Sequence, residues 1–142
     1  MSAMRLAIAA LLVSFVMGCS SFSPPENCPF GGGTADPEAF ATSFSEMSIR
    51  RSDGSPGVAG RDAEYRFAAQ DQLEIVATSL GKNQIAICVG ERKGGGKLVL
   101  NTTVSVEQGP FRFPLGDHAR GPYVVRVAVG GKIVRNLTFE VE

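Results

Sequence analysis

The chain has 142 residues, and its 14 basic and 14 acidic side chains give a formal charge of zero. That balance supplies neither the basic footprint expected for nucleic acid nor a polybasic cluster for anionic lipid. With 17 glycines, no tryptophan and short runs rich in Val, Ile and Phe, the composition favours a β-rich domain with tight turns.

In chain order, one basic residue, Arg5, precedes an apolar run from Leu6 to Val16. A bilayer span needs roughly 20 apolar residues, so this run is too short to cross and has the length of a signal-peptide core. The run ends in Val16-Met17-Gly18-Cys19. This resembles the lipobox of bacterial lipoproteins, with an aliphatic residue three before Cys and a small residue just before it. Met17 departs from the pattern, which more often has a smaller residue there. The resemblance implies that residues 1–18 are a cleaved signal peptide and that Cys19 becomes the lipidated first residue. It also implies that acyl chains of the palmitate kind hold the protein on a membrane of the bacterial cell envelope. Ser20 in place of Asp resembles outer-membrane sorting, with the domain on the periplasmic side or at the surface. A plain secretory signal, or an uncleaved anchor, is the alternative reading of the same stretch.

Cleavage leaves 124 residues, the size of one domain, with 13 basic residues against 14 acidic. It also leaves two further cysteines, Cys28 and Cys88, whose even number in an exported chain suggests one disulfide. Two free thiols are the alternative. Residues 19–43 read as a flexible tether, since Ser20–Ala41 is rich in Ser, Pro and Gly and has no apolar period. Within it, Asp36 and Pro37 mark the start of a helical turn over Pro37–Phe40. A Cys28–Cys88 bridge would leave only Ser20–Asn27 as a free leash.

Period-2 patterning then predicts strands at Phe44–Arg50, Glu64–Ala69, Leu73–Thr78, Gln84–Val89, Leu98–Val106 and Phe111–Leu115. Ser52–Arg61 and the glycine-rich Glu91–Lys97 read as loops. The second resembles a phosphate cradle only superficially, because Leu98 and a strand follow Lys97 where a P-loop needs Ser or Thr and a helix. At the C-terminus, Tyr123, Val125, Val127 and Val129 share one face. A three-residue loop, Gly130–Lys132, would pair Val129 with Ile133, Val125 with Leu137 and Tyr123 with Phe139, all towards one core.

Leu115–Tyr123 resembles the corner before the penultimate strand of immunoglobulin-like and fibronectin-type domains, where a Tyr bonds back to upstream backbone. The resemblance implies that residues 44–142 form a single antiparallel β-sandwich of that kind. No core Trp is present, and Cys28 precedes every strand, so a Cys28–Cys88 bridge differs from the inter-sheet bridge of immunoglobulin domains.

No catalytic, metal or cofactor set is evident. His118, the only histidine, sits between Asp117 and Arg120 and reads as a solvated turn residue, with no G-x-S-x-G elbow to supply a nucleophile. One histidine also weighs against zinc and against His-rich copper sites, which need several nitrogen ligands. The carboxylates Asp62, Glu64, Asp71 and Glu74 read as solvated strand-end charges. The reading is therefore a non-enzymatic, membrane-anchored module that binds an envelope protein or glycan through its loops or an open sheet edge. The alternative is a tethered inhibitor of lysozymes or proteases that inserts Ser52–Arg61 or Glu91–Lys97.

Overall fold

The computed structural model describes residues 33–93 and 96–142. Among these, one helix, α1 (Pro37–Ser43), precedes nine strands: β1 (Phe44–Arg51), β2 (Val58–Ala59), β3 (Tyr65–Phe67), β4 (Leu73–Ser79), β5 (Asn83–Glu91), β6 (Leu98–Val106), β7 (Gly109–Gly116), β8 (Gly121–Val129) and β9 (Lys132–Val141). The described chain is all-β apart from that helix. One sheet runs in the order β1-β4-β7 and the other in the order β2-β3-β9-β8-β5-β6.

Alternation explains how both sheets feed one core. Met47 and Ile49 of β1 and Ile75 and Ala77 of β4 turn the same way as the pleat requires. They meet Ile85, Ile87 and Val89 of β5, Val125 and Val127 of β8, and Leu137 and Phe139 of β9 in a single buried cluster. Phe139 is fully buried and touches three rings, lying 4.9 Å from Tyr123, 5.2 Å from His118 and 6.4 Å from Phe67 between ring centres.

Helix α1 starts where the sequence indicates. Asp36 Oδ1 accepts from the amides of Glu38 and Ala39 at 3.0 Å each, and Pro37 occupies the first turn. Those amide bonds, the Ala39 one foremost, and the nearby Lys132 ammonium hold the Asp36 carboxyl below its usual range. The helix then continues to Ser43, beyond the single turn predicted. The Asp36 amide donates to the Ile133 carbonyl at 3.0 Å, and Phe40 packs on Phe44 with the Arg135 guanidinium 5.4 Å from its ring centre. Residues 33–43, placed in the tether by composition, thus pack against β9 and β1 through contacts that composition cannot show.

The hairpin differs from expectation in its loop. Val129 pairs with Lys132, so the turn is Gly130-Gly131, with φ of 61° and 78° at the two glycines. Both values lie in the left-handed region that a two-residue hairpin turn demands and that glycine reaches freely. The expected pairs Val125–Leu137 and Tyr123–Phe139 nevertheless form, because a bulge between Val127 and Ala128 restores the register. The extra residue places Val134 in the core cluster and sets Ile133 opposite Ala128, away from that cluster. Burial of Leu137 and Phe139 therefore decides the register, and the turn adapts.

The second departure is parallel pairing. β3 runs parallel to β9, with Tyr65 beside Phe139 and Phe67 beside Val141, so the fold is not purely antiparallel. Two backbone bonds just beyond the paired residues lock β3 to β9, with the Glu142 amide donating to Phe67 O at 3.0 Å and the Ala69 amide to Glu142 O at 3.2 Å.

Candidate functional site

Cys19 and Cys28 lie outside the described residues. Cys88 sits on β5 and is wholly buried. It points to the face opposite Ile87 and Val89, in register with Arg126 on β8, which is itself opposite Asn136 on β9. Asn136 Nδ2 donates to the Gly33 carbonyl at 2.9 Å, which brings the incoming chain onto this same face.

His118 is a correction. It is 7% exposed and packs 5.1 Å from the Tyr123 ring and 5.2 Å from Phe139. The Tyr123 hydroxyl donates to Ala119 O at 2.6 Å, four residues upstream, and this bond folds the polar Gly-Asp-His-Ala turn back over the aromatic cluster. Burial therefore comes from the tertiary corner, which local polarity conceals. Desolvation is the main influence on the imidazole and lowers its pKa, partly offset by a bond to the Leu115 backbone. Nε2 is buried and has no hydrogen-bond partner among the described residues. Burial therefore favours the neutral ring in the folded chain.

A pH dependence follows. The unfolded imidazole titrates near 6.5 and the folded one lower, so between those values the unfolded chain binds more protons. The His118 contribution to stability is present above pH 6.5 and is lost on acidification below it, by up to about 1.4 kcal/mol per pH unit. Asp36, Asp53 and Asp71, whose carboxyls are depressed below the ordinary 3.8, act only at still lower pH. Urea midpoints at pH 7.5 and 5 should drop for the wild type and stay level for His118→Phe. Equal drops in both would show that another group governs the window.

Glu74 is also buried, against expectation, and is ion-paired with Arg112 across the β4–β7 pair. Asp71 accepts from the Ala68 amide and from Arg51 Nε, both at 2.9 Å, and those contacts depress its carboxyl. These two carboxylates hold the small sheet and its turn in place.

The two loops singled out by composition converge at one end of the molecule. Ser52–Arg61 is tied down at its base. The Ser55 amide donates to Asp53 Oδ1 at 2.8 Å, and an Arg51 guanidinium nitrogen reaches Pro56 O at 2.7 Å. From the other loop, Arg92 donates through a guanidinium nitrogen to Asp62 O and through its amide to Pro122 O, both at 2.9 Å. Between them lies an open cleft of about 450 Å³ whose charged lining comprises Arg61, Arg92, Lys93, Asp62, Glu140 and Glu142. Cations and carboxylates are matched there, so the cleft presents no strong field of one sign. Glu140 and Glu142 reach it only because β9 ends at this corner, which spacing along the chain does not reveal. No group of three or more His, Cys, Asp or Glu that could hold a metal occurs among the described residues.

The other surface is the side where β6 turns into β7. β6 ends the six-stranded sheet and β7 ends the three-stranded one. Leu100, Val104, Phe111 and Phe113 pack against the core yet remain half-buried. An open cleft of about 370 Å³ runs between the two strands. Val99 is among the few large apolar side chains left exposed, at 44%.

No protein-family model and no curated protein matches the chain. Among solved structures, it is similar to an X-ray crystal structure described as a candidate lipoprotein from Bacillus anthracis. The identity is 10%, the match covers 80% of this chain and 95% of that one, and the TM-score is 0.43.

Proposed function

We propose that this chain is a non-enzymatic envelope lipoprotein. Acyl chains on Cys19 hold it on the membrane, and an immunoglobulin-like sandwich binds a protein partner along an open sheet edge. The anchor rests on Val16-Met17-Gly18-Cys19 at the end of a short apolar run. The immunoglobulin-like reading is supported by two sheets sharing one core and by the Tyr123–Ala119 bond at the corner. The envelope, with the outer membrane as its destination through Ser20, is the compartment this anchor implies.

A Cys28–Cys88 disulfide belongs to the same reading. The row Cys88–Arg126–Asn136 crosses two strand spacings, about 10 Å. Asn136 holds Gly33 at its far end, and the five residues from Cys28 to Gly33 reach up to about 17 Å. The span suits a bridge across that face.

The single observation that carries the binding role is β6. It is a nine-residue edge strand whose sequence, LVLNTTVSV, has no charge and no proline. Lysines, prolines and short length are the usual means of closing an edge to other chains. Adding gatekeepers tests the reading. Asn101→Lys with Thr103→Lys lies on the exposed side of β6 and should change stability by no more than about 0.5 kcal/mol per site. The double variant should lose the protein adduct that formaldehyde captures from intact membranes with the wild type. An adduct retained in full would remove the edge as the binding surface. Stoichiometric inhibition of a lysozyme or protease, unaffected by the two lysines, would point to the tethered inhibitor instead.

A further inference from the structure

The four sheet edges are not equivalent. β2, at one end of the large sheet, is only two residues long. β1 carries Glu46, Arg50 and Arg51, and Arg50 is bridged to Pro56. β7 carries Pro110, Arg112 and Pro114. Each of these is shortened, charged or interrupted by residues that cannot donate to a ladder. β6 has none of these devices, and its bulge, opposite Val89 and Gly90, affects only the Leu98–Leu100 end. Leu100–Val106 is a regular strand, and no described strand pairs along its outer side.

The pattern of that strand selects its partner. Turned end for end about Thr102, the sequence Leu100-Asn101-Thr102-Thr103-Val104 matches itself in polarity. Leu100 meets Val104, Asn101 meets Thr103, and Thr102 meets Thr102. Leu100 and Val104 are the half-buried members of the row that faces the core, so the match also places apolar against apolar on the open side. Cross-strand apolar pairs and Thr–Thr pairs are favourable, and no like charges face each other anywhere in the match. An isologous contact requires this self-complementarity, whereas an edge shaped for an unrelated strand does not. Anchoring many copies on one membrane would further raise their effective concentration.

We infer that β6 pairs antiparallel with β6 of a second copy about a two-fold axis at Thr102, joining the two large sheets into one. This inference rests on the edge-binding reading above and names the partner. It is tested in membranes with the full-length chain, using single cysteines and a short bifunctional thiol reagent, with the wild type controlling for Cys28 and Cys88. Thr102→Cys places two thiols directly opposite, with Cβ atoms about 5 Å apart, and Thr103→Cys, which lies opposite Ala86 rather than Cys88 in its own sheet, places them on the diagonal at about 7–8 Å. Ser105→Cys, six residues from its own copy along the paired strands, separates them by about 20 Å. The expected result is a shift of the Thr102→Cys and Thr103→Cys bands to twice the monomer mass, with Ser105→Cys remaining monomeric. Thr103 is exposed, so that variant keeps the test decisive if Thr102→Cys fails to fold. Equal dimer yield from Ser105→Cys would overturn the register and with it the inference. An adduct with a different protein would overturn self-pairing and leave the edge-binding reading standing. No adduct from either Thr102→Cys or Thr103→Cys would overturn self-pairing, and the edge-binding reading then stands or falls on the two-lysine variant above.

Discussion

Phe139→Ala should lower stability by about 3–5 kcal/mol, the cost of removing a large ring from a packed core and leaving a cavity. The ring is 0% exposed and contacts Phe67, His118 and Tyr123 at the junction of β3, β8, β9 and the corner. These partners come from distant parts of the chain, so collapse of one cannot fill the space without moving the others. Domains of this size are stable by only about 5–15 kcal/mol, so the substitution removes a large share of the margin. Val99→Ala, at an exposed position on β6, is the contrast and should stay within about 0.5 kcal/mol. Guanidinium denaturation followed by circular dichroism measures both. A Phe139→Ala midpoint close to that of Val99→Ala would mean that the aromatic cluster around Phe139 does not hold β3, β8, β9 and the corner together as described.

Cys19→Ser should move the protein from the membrane fraction to the soluble fraction. A single acyl chain binds a bilayer only marginally, whereas two or more anchor it stably, each buried methylene adding about 0.8 kcal/mol. A large shift is expected because no helix among the described residues is long and apolar enough to span a membrane. The near-balanced charge also offers little attraction to anionic headgroups. Fractionation after high-salt and carbonate washes reads the change. Retention of Cys19→Ser on the membrane, with the leader cut, would show that something other than the acyl chains holds the protein.

The sequence carries the strands well because their signal is local. Leu98–Val106 alternates cleanly and forms β6 over those residues, and the Asp36-Pro37 start of α1 is a cap and a ring constraint within one turn. The corner was legible for the same reason, since Tyr123 needs only a carbonyl four residues upstream. Features set by distant partners were not legible. β3 lies parallel to β9 across some seventy residues, and nothing in Tyr65–Phe67 announces its neighbour. The bulge in the last hairpin is invisible in the alternation, because a two-residue loop with a bulge and a three-residue loop produce the same lower register. His118 and Glu74 have polar neighbours in the chain and buried positions in the fold, each packed against groups from elsewhere: the Tyr123 and Phe139 rings for one, the Arg112 guanidinium for the other. Of the candidate site, the missing charges of β6 were present in LVLNTTVSV from the start. That the strand is an edge was not, because edge position is a property of the sheet.

The central claim, that Cys19 is the attachment point of an exported module, is most directly tested by the intact mass of the protein extracted from membranes by detergent. The mass predicted is that of a chain beginning at Cys19 and carrying two or three acyl groups on that residue. A chain that begins elsewhere, or one that begins at Cys19 without acyl groups, would contradict it.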